Sequence, residues 1–180
     1  MATGPELTIS DPDVRMSLPE GWSQVDLEVY AQGLRQLAEA LNDTRITRMT
    51  EWQLGLIGDH VMRAAAAGTS QPSGAQAALI VSVLPITGDL QTTVDMRLAD
   101  EATNGVPSNV SELGTTDLAI GPAYCVGLLS EGDLGVASQT IEYIAHPIGD
   151  NAISIGGTAP AGDTDFPDTL RSVALTLAVD

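Results

Sequence analysis

Positive charge is scarce in this 180-residue sequence, which contains no lysine at all. Its 24 Asp and Glu residues outnumber its 7 arginines, so the formal net charge at pH 7 is −17. Because affinity for DNA and RNA comes mainly from Lys and Arg side chains that neutralise phosphates, this balance argues against nucleic-acid binding. An anionic membrane surface is repelled for the same reason. An acidic, solvated surface accounts for this charge, which supports solubility and would also attract a protein partner with a basic surface.

Cysteine and histidine, which supply much of the redox, metal and acid-base chemistry of proteins, are also rare. The single cysteine, Cys125, excludes an internal disulfide, and its apolar neighbours predict a small buried strand residue. The two histidines, His60 and His146, are candidate bases, but both are interpreted as surface or packing residues. The sequence contains no nucleophile elbow, phosphate loop, dinucleotide fingerprint or two-histidine helix motif. We therefore expect a protein that is not an enzyme and that uses no cofactor.

The densest group of carboxylates is Asp163, Asp165 and Asp168. Part of a calcium loop has a similar spacing, but such a loop also needs later oxygen ligands and a bidentate Glu, and these are missing. Helix capping accounts for two of the three, with Asp165 as the N-cap and Asp168 in the first turn, near the positive end of the helix dipole. We therefore expect no metal site here.

Aromatic residues form only 3% of the sequence, although 43% of it is hydrophobic. The core is therefore expected to consist of many aliphatic side chains, in one domain over residues 1–180. No stretch approaches the ~18 apolar residues of a membrane-spanning helix, so we expect no membrane insertion. The first six residues lack the basic and apolar regions of a signal peptide, which predicts a cytoplasmic location.

The clearest local pattern lies in residues 134–177. Residues 137–145 alternate as a strand with one face toward solvent, and Pro, Gly, Asp and Asn over 147–151 predict a reversal into a return strand at 152–155. The glycines and proline of residues 156–160 are expected to end that strand. A closing helix is predicted from apolar residues at helical spacing: Phe166, Leu170, Val173, Ala174 and Leu177.

The rest of the chain alternates amphipathic helices with short strands. The predicted helices cover residues 26–41, 51–67 with Thr50 as the N-cap, and 89–102. The predicted strands cover an opening hairpin at 7–18, then 77–84, 110–113, 118–129 and 136–145, with turns at 114–117 and 130–133. This order predicts the α+β class: an α/β/α sandwich with a mostly antiparallel sheet flanked by helices.

Few large side chains are available to line a ligand site between the sheet and the helices. Trp22, Trp52 and Tyr124 are the candidate pocket residues, and His146 at the hairpin turn is a fourth candidate contact. Trp22 follows a glycine turn and is expected to fill the gap between the opening hairpin and the next helix.

The sequence resembles the PsbP-like α/β/α sandwich group, especially the LpqN-type small proteins of actinobacteria. The resemblance rests on Leu18-Pro19-Glu20-Gly21-Trp22, the strand at 77–84, the hairpin residues 143–147, the segment 156–160 and the closing helix. Members of the group are mostly non-enzymatic binding or assembly factors, and some actinobacterial relatives are lipoproteins or are encoded near type VII secretion systems. This chain departs from the lipoproteins because it has no signal peptide and no cysteine near its start.

Three functions are compatible with these features. The resemblance, the charge and the missing motifs favour a non-catalytic protein-interaction or accessory module, with an association with a bacterial secretion system implied by the resemblance alone. A small-molecule carrier with a pocket between sheet and helices is the first alternative. A hydrolase-type enzyme, with His60 or His146 as the base near Asp163 or Asp165, is the second.

Overall fold

The computed structural model describes residues 4–10, 12–70, 73–86, 88–105, 109–130 and 137–179. The helices in these residues are α1 (Leu27–Leu41), α2 (Thr44–Gly58), α3 (Leu90–Asn104) and α4 (Phe166–Ala174). The strands are β1 (Glu6–Ile9), β2 (Val14–Ser17), β3 (Ser23–Val25), β4 (Met62–Thr69), β5 (Gln76–Pro85), β6 (Asn109–Leu118), β7 (Gly121–Ser130), β8 (Ser138–Ile148), β9 (Asn151–Pro160) and β10 (Ala178–Val179).

Two antiparallel sheets are formed by the described strands. The large sheet has seven strands in the order β3-β4-β5-β9-β8-β7-β6, and every pair of neighbours is antiparallel. The small sheet has the order β1-β2-β10, so the opening hairpin pairs with the end of the chain. The predicted α+β class with a mostly antiparallel sheet is therefore confirmed.

Both faces of the large sheet are covered. Along β5, Leu79, Val81 and Val83 point to one face, where the small sheet and α4 complete the main core. Ile80 and Ser82 point to the opposite face, which α1, α2 and α3 cover. Helices α1, α2 and α3 thus lie on one side of the large sheet, and α4 and the small sheet lie on the other.

The second helix was predicted about seven residues too late. It begins at Thr44, because Asn42 adopts a left-handed conformation that ends α1 and the carboxylate of Asp43 accepts a hydrogen bond from the amide of Arg45. The last residues of the predicted helix, 62–67, instead belong to β4, a strand rich in alanine. Small side chains suit this strand because Ala64, Ala65 and Ala66 are buried between two layers, and this packing overrides the helix propensity of alanine.

The strands of the last hairpin were placed correctly, but one face was misjudged. The face of β8 that was expected to meet solvent carries Glu142 and Ile144, which are only 5% and 0% exposed because the helix layer covers them. The glycines of β9 do not end that strand, since pairing with β8 continues to Pro160. The turn predicted at residues 114–117 is also wrong, because these residues lie within β6.

The closing helix α4 buries four residues of the predicted apolar face: Phe166, Leu170, Val173 and Ala174. The fifth, Leu177, is also buried but lies beyond the end of the helix, which was predicted too long. Asp165 occupies the N-cap position, but its side chain makes no capping hydrogen bond. Instead, Asp163 is buried, and its Oδ1 accepts hydrogen bonds from the amide of Asp165 and the hydroxyl of Ser73. The capping interpretation of Asp165 was therefore wrong, and Asp163 holds this corner together.

No helix among the described residues is long and apolar enough to cross a membrane.

Candidate functional site

A cavity of about 290 Å³ lies between α1, α2 and α3 and the large sheet; we call it the helix–sheet cavity. Its helical wall is largely apolar and includes Tyr30, Leu34, Met49, Trp52 and Leu56. Its floor is largely polar and includes Ser82, Thr140, Glu142, Ser154 and Thr158. A volume of this size approaches that of small-molecule sites in proteins.

The polar floor follows from the period-two pattern of two paired strands. Thr140 in β8 lies opposite Thr158 in β9, and their hydroxyl oxygens are 2.9 Å apart. Glu142 lies opposite Gly156, which has no side chain to fill the space above it. Two residues further along β8, Ile144 packs against α3, so the same face becomes apolar there. The cavity therefore lies where the covered face of the sheet changes from aliphatic to polar.

Arg97 of α3 connects the helical wall to this floor. Its Nε lies 3.2 Å from Oε1 of Glu142, and its Nη1 lies 2.9 Å from Oε2 of Glu101, one helical turn away. The hydroxyl of Ser154 donates a hydrogen bond to the same oxygen of Glu142. Each charge in this cluster thus has a partner at close range, as a buried charge requires, although two carboxylates share one guanidinium.

Trp52 of α2 lies against the same guanidinium group. The Cζ of Arg97 is 5.2 Å from the centroid of the Trp52 ring, within cation–π range. The Nε1 of Trp52 donates a hydrogen bond of 2.9 Å to Asp100, and the hydroxyl of Tyr30 donates one of 3.0 Å to Gln53. These contacts join α1 to α2 and α2 to α3, so the cavity wall is held by polar contacts as well as by packing.

The titration behaviour of the cavity follows from burial and neighbouring charge. Burial opposes the charge of Arg97, but the carboxylates of Glu142 and Glu101 outweigh this effect and raise the pKa of its guanidinium. Burial raises the pKa of Glu101 above its ordinary value, and Arg97 only partly opposes that shift. Burial also raises the pKa of the Tyr30 hydroxyl. Arg97 is therefore always a cation, while Glu101 is the carboxyl whose charge is disfavoured by its surroundings.

Of the four candidate residues named from sequence, Trp52 lines the helix–sheet cavity. Trp22 is only 3% exposed and belongs to the main core, where its Nε1 donates a hydrogen bond to the carbonyl of Thr69. Tyr124 packs against the apolar cluster beneath α3. His146 lies in β8, but its side chain is outside the described residues. The structure thus separates Trp52 from Trp22 and Tyr124.

Arg97, Glu101 and Glu142 were not identified from sequence. Arg97 and Glu101 are four residues apart in a predicted helix, a spacing typical of an ordinary surface ion pair. Glu142 was assigned to a solvent-facing strand position. The only available signal was an acidic residue between Ile141 and Ile144, and that signal acquires meaning only once the face is known to be covered.

The pairings considered for an enzyme receive no support from the described residues. Asp163 contacts Ser73, beyond the end of β4, whereas His60 precedes the start of β4. A strand of this length places the two roughly 25 Å apart at 3.3 Å per residue. Asp163 is instead occupied by hydrogen bonds within the fold. No group of three or more His, Cys, Asp or Glu positioned to hold a metal occurs in the described part of the chain.

The sequence matches no family model and no curated protein. Several solved structures share its fold. LpqN of Mycobacterium tuberculosis, described as involved in cell envelope biogenesis, matches with a TM-score of 0.54 and 12% identity over 97% of this chain and 90% of LpqN. Cyanobacterial PsbP from Synechocystis matches with a TM-score of 0.54 and 11% identity over 100% of this chain and 94% of that protein.

Two other solved structures extend this comparison. The Ran-binding protein Mog1p of Saccharomyces cerevisiae matches with a TM-score of 0.54 and 10% identity, over 97% of this chain and 94% of Mog1p. A protein of Bacteroides thetaiotaomicron matches with a TM-score of 0.50 and 12% identity over 99% of this chain, which spans about half (49%) of that protein's length. Identities this low establish the fold alone. The resemblance to LpqN and PsbP is thus confirmed at the level of the fold, which this chain shares with them.

Proposed function

We propose that this chain is a non-catalytic accessory module that binds a protein partner and receives a side chain of that partner in the helix–sheet cavity. The carrying observation is the cavity itself, which has an apolar helical wall, a hydroxyl-lined floor and an internally paired Arg97. The description of Mog1p as a Ran-binding protein supports a binding role for a module with this fold.

The charge of the cavity supports a partner with a basic side chain. Glu101 and Glu142 line the cavity together with one cation, Arg97. A further carboxylate, that of Asp100, accepts the hydrogen bond from Trp52. The local balance is negative, and the raised pKa of Glu101 reflects both its burial and the neighbouring carboxylates. A Lys or Arg side chain entering from a partner would offset this excess, and the net charge of −17 would attract a basic surface.

Gly156 allows a direct test of this proposal. A Cβ at Gly156 would lie 3.8 Å from Cγ of Glu142, an ordinary contact, so Gly156→Ala leaves the cavity nearly unchanged. Gly156→Phe places a ring in the cavity. Wild-type and both variant proteins should be used as baits in native lysate at about 50 mM and about 500 mM NaCl, after thermal melts confirm folding.

We expect a partner that binds the wild type and Gly156→Ala, binds less at high salt, and is lost with Gly156→Phe. A partner that binds Gly156→Phe equally well would show that the cavity is not the recognition site. Retention of no partner at either salt concentration would contradict the protein-binding function as a whole.

A small-molecule carrier is the second candidate, favoured by the volume and apolar wall of the same cavity. Because the chain has two tryptophans and Trp22 lies in the main core, Trp22→Phe leaves Trp52 as the only tryptophan and hence as a reporter of the cavity. Quenching of Trp52 by the neutral dye N-phenyl-1-naphthylamine, abolished in Gly156→Phe, would support this role. Equal quenching in both proteins would contradict it.

A cytoplasmic location and an association with a bacterial secretion system are finer parts of the proposal, supported by the sequence and its resemblance alone. Cell fractionation with an antibody to the native chain tests the first. Recovery in the envelope fraction would contradict it. Co-purification of secretion components with the wild type but not with Gly156→Phe tests the second, and their absence from both eluates would contradict it.

A further inference from the structure

A second cavity, of about 350 Å³, lies where β1, the start of α1, the end of α2 and the start of β4 meet. We call it the Arg63 cavity. Its polar lining consists of Arg63, His60, Thr8 and Ser10. In a chain with net charge −17, this cavity is lined by a guanidinium and an imidazole and by no carboxylate among the described residues. Its polar side is therefore suited to an anion.

The guanidinium of Arg63 is not neutralised within the described part of the chain. Its Nε is buried and has no hydrogen-bond partner, and Arg63 takes part in none of the ion pairs there. Arg97 shows the contrast, since two carboxylates contact it. A buried donor without an acceptor is costly, so folded proteins rarely retain one without a use. Arg63 therefore has donor capacity that an anionic ligand can satisfy.

The backbone at Arg63 is irregular. The register between β4 and β5 shifts between Met62 and Ala64, which makes Arg63 the extra residue of a bulge. Bulges bend a strand, redirect a side chain and are frequent next to functional sites. The irregularity accounts for an arginine in a strand whose other residues are mostly alanine.

His60 occupies a position that normally favours glycine. Its φ is +57°, and the amides of His60 and Val61 donate to the carbonyls of Ile57 and Leu56, which closes the end of α2. Glycine is preferred in this left-handed position because a side chain there is strained. The structure keeps an imidazole at this point, beside Arg63, at a conformational cost. Strained residues of this kind cluster at ligand sites.

The remaining lining of the Arg63 cavity is apolar: Ile9, Leu27, Ile57 and Met62. From the polar and the apolar parts of this lining together, we infer that the cavity binds a small monocarboxylic acid with an aliphatic or aromatic body. The carboxylate lies on Arg63 and His60, within reach of the hydroxyls of Thr8 and Ser10, and the apolar body lies against the aliphatic residues. A multiply charged phosphate fits less well, because it has no apolar body and the field of the chain repels each added negative charge. This inference is independent of the protein partner proposed above.

Octanoate is the probe for this inference, with methyl octanoate as a neutral analogue and inorganic phosphate as an anion without an apolar body. Binding to the whole chain is measured by calorimetry or by ligand-observed NMR. We expect octanoate to bind, methyl octanoate to bind roughly tenfold or more weakly, and phosphate not to compete at equal concentration. No octanoate binding, or equal binding of the ester, overturns the inference. Competition by phosphate at equal concentration overturns the monocarboxylate assignment.

The variants separate a binding role from a structural one. Arg63→Gln should weaken octanoate binding roughly ten- to hundredfold, whereas Arg35→Gln, an exposed change of equal charge, should leave it unaltered. His60→Gly should weaken binding but melt no lower than the wild type, because glycine adopts its backbone without strain. Arg63→Met should lose binding and also melt no lower. Wild-type affinity in Arg63→Gln, or an equal loss in Arg35→Gln, overturns the inference. If Arg63→Gln fails to fold, octanoate binding by Arg63→Lys and the comparison of octanoate with its methyl ester test the inference instead.

Discussion

The Nε of Arg97 in α3 lies 3.2 Å from a carboxylate oxygen of Glu142 in β8, and this ion pair joins the helix layer to the floor of the helix–sheet cavity. The two side chains are 22% and 6% exposed. At such positions the cost of removing each charge from water is offset only by its partner and by adjacent hydrogen bonds, here from Ser154 and to Glu101. The pair therefore makes each residue dependent on the other.

Removing one member of this pair should lower the free energy of unfolding more than replacing both members with apolar residues. Glu142→Leu should lower the free energy of unfolding by about 3 kcal/mol, because it leaves the guanidinium of Arg97 with less compensation in a largely dry site. Arg97→Met with Glu142→Leu should recover most of that loss. Urea denaturation of the single and double variants measures the coupling. A double variant whose loss equals the sum of the single losses would contradict a direct interaction.

Glu101 should make stability depend on pH in an unusual direction. Its pKa is raised in the folded chain, mainly by burial, so the native state binds more protons than the unfolded state between the ordinary pKa of 4.5 and the raised value. Its contribution to stability therefore falls as pH rises through that window. Glu101→Gln, which mimics the protonated form, should be more stable than the wild type at neutral pH, with the difference vanishing below about pH 4.

The control for this titration is Asp89, the N-cap of α3, whose pKa is lowered by hydrogen bonds from Thr92. A lowered pKa contributes stability above the ordinary value of 3.8 that is lost as pH falls through the lowered value. Asp89→Ala should therefore be less stable than the wild type at neutral pH, with a difference that shrinks in acid. Differences of the same sign for Glu101→Gln and Asp89→Ala at neutral pH would contradict this assignment.

Two adjacent glycines in β9 should respond oppositely to alanine. A Cβ at Gly157 would lie 2.8 Å from Cζ of the buried Phe166, so Gly157→Ala should cost about 1–3 kcal/mol by overpacking against α4. At Gly156 the same atom meets only an ordinary contact, and Gly156→Ala should stabilise the fold by up to about 1 kcal/mol. Equilibrium denaturation measures both changes. Equal effects would mean that the two faces of β9 are not packed as described.

The ring of Trp22 occupies the space above Gly68 of β4. A Cβ at Gly68 would collide with Cγ and both Cδ atoms of that ring, and the indole is also held by its hydrogen bond to Thr69. Gly68→Ala should therefore cost about 1–3 kcal/mol or more and change the near-ultraviolet circular dichroism of the indole. In a Trp22→Ala background the same change should cost less than about 0.5 kcal/mol. If Gly68→Ala costs as much in the Trp22→Ala background as in the wild type, its cost does not come from a clash with the Trp22 ring.

Leu170 anchors α4 to the large sheet and is 1% exposed. Leu170→Ala should lower the free energy of unfolding by about 2–5 kcal/mol, since it removes buried apolar surface and leaves a cavity. Leu175, just after the same helix, is 46% exposed and serves as the matched control. Leu175→Ala should change stability by no more than about 0.5 kcal/mol. Similar losses for the two variants in urea melts would contradict the assignment of the core.

The elements that sequence located well are those whose residues reveal their own period and boundaries. The apolar spacing of α4 and the reversal between β8 and β9 were both found, because helical spacing and the turn residues Gly149 and Asp150 act over a few positions. The first helix was found for the same reason, with Asp26 accepting amide hydrogen bonds as its N-cap. Local chemistry was sufficient in each case.

The elements that sequence misplaced depend on distant partners. The alanines of β4 favour a helix when considered alone, and become a strand because β3 and β5 pair with them on either side. The N-cap of α4 was assigned to Asp165 from its position, whereas the hydrogen bonds that hold this corner come from Asp163 and reach back to Ser73. Neither the strands that pair with β4 nor the contact between Asp163 and Ser73 can be identified from spacing along the chain.

The sequence by itself determined the negative charge without lysine, the aliphatic core, the periods that produce helices and antiparallel strands, and a resemblance to a known sandwich fold. Only the tertiary structure decided which faces are dry. Glu142 appeared to be a solvent-facing residue until α3, 45 residues earlier, brought Arg97 onto it. Arg63 became a candidate ligand contact only because no carboxylate among the described residues pairs with it. The physical reason is that desolvation and charge compensation depend on neighbours in space, which the order of residues does not specify.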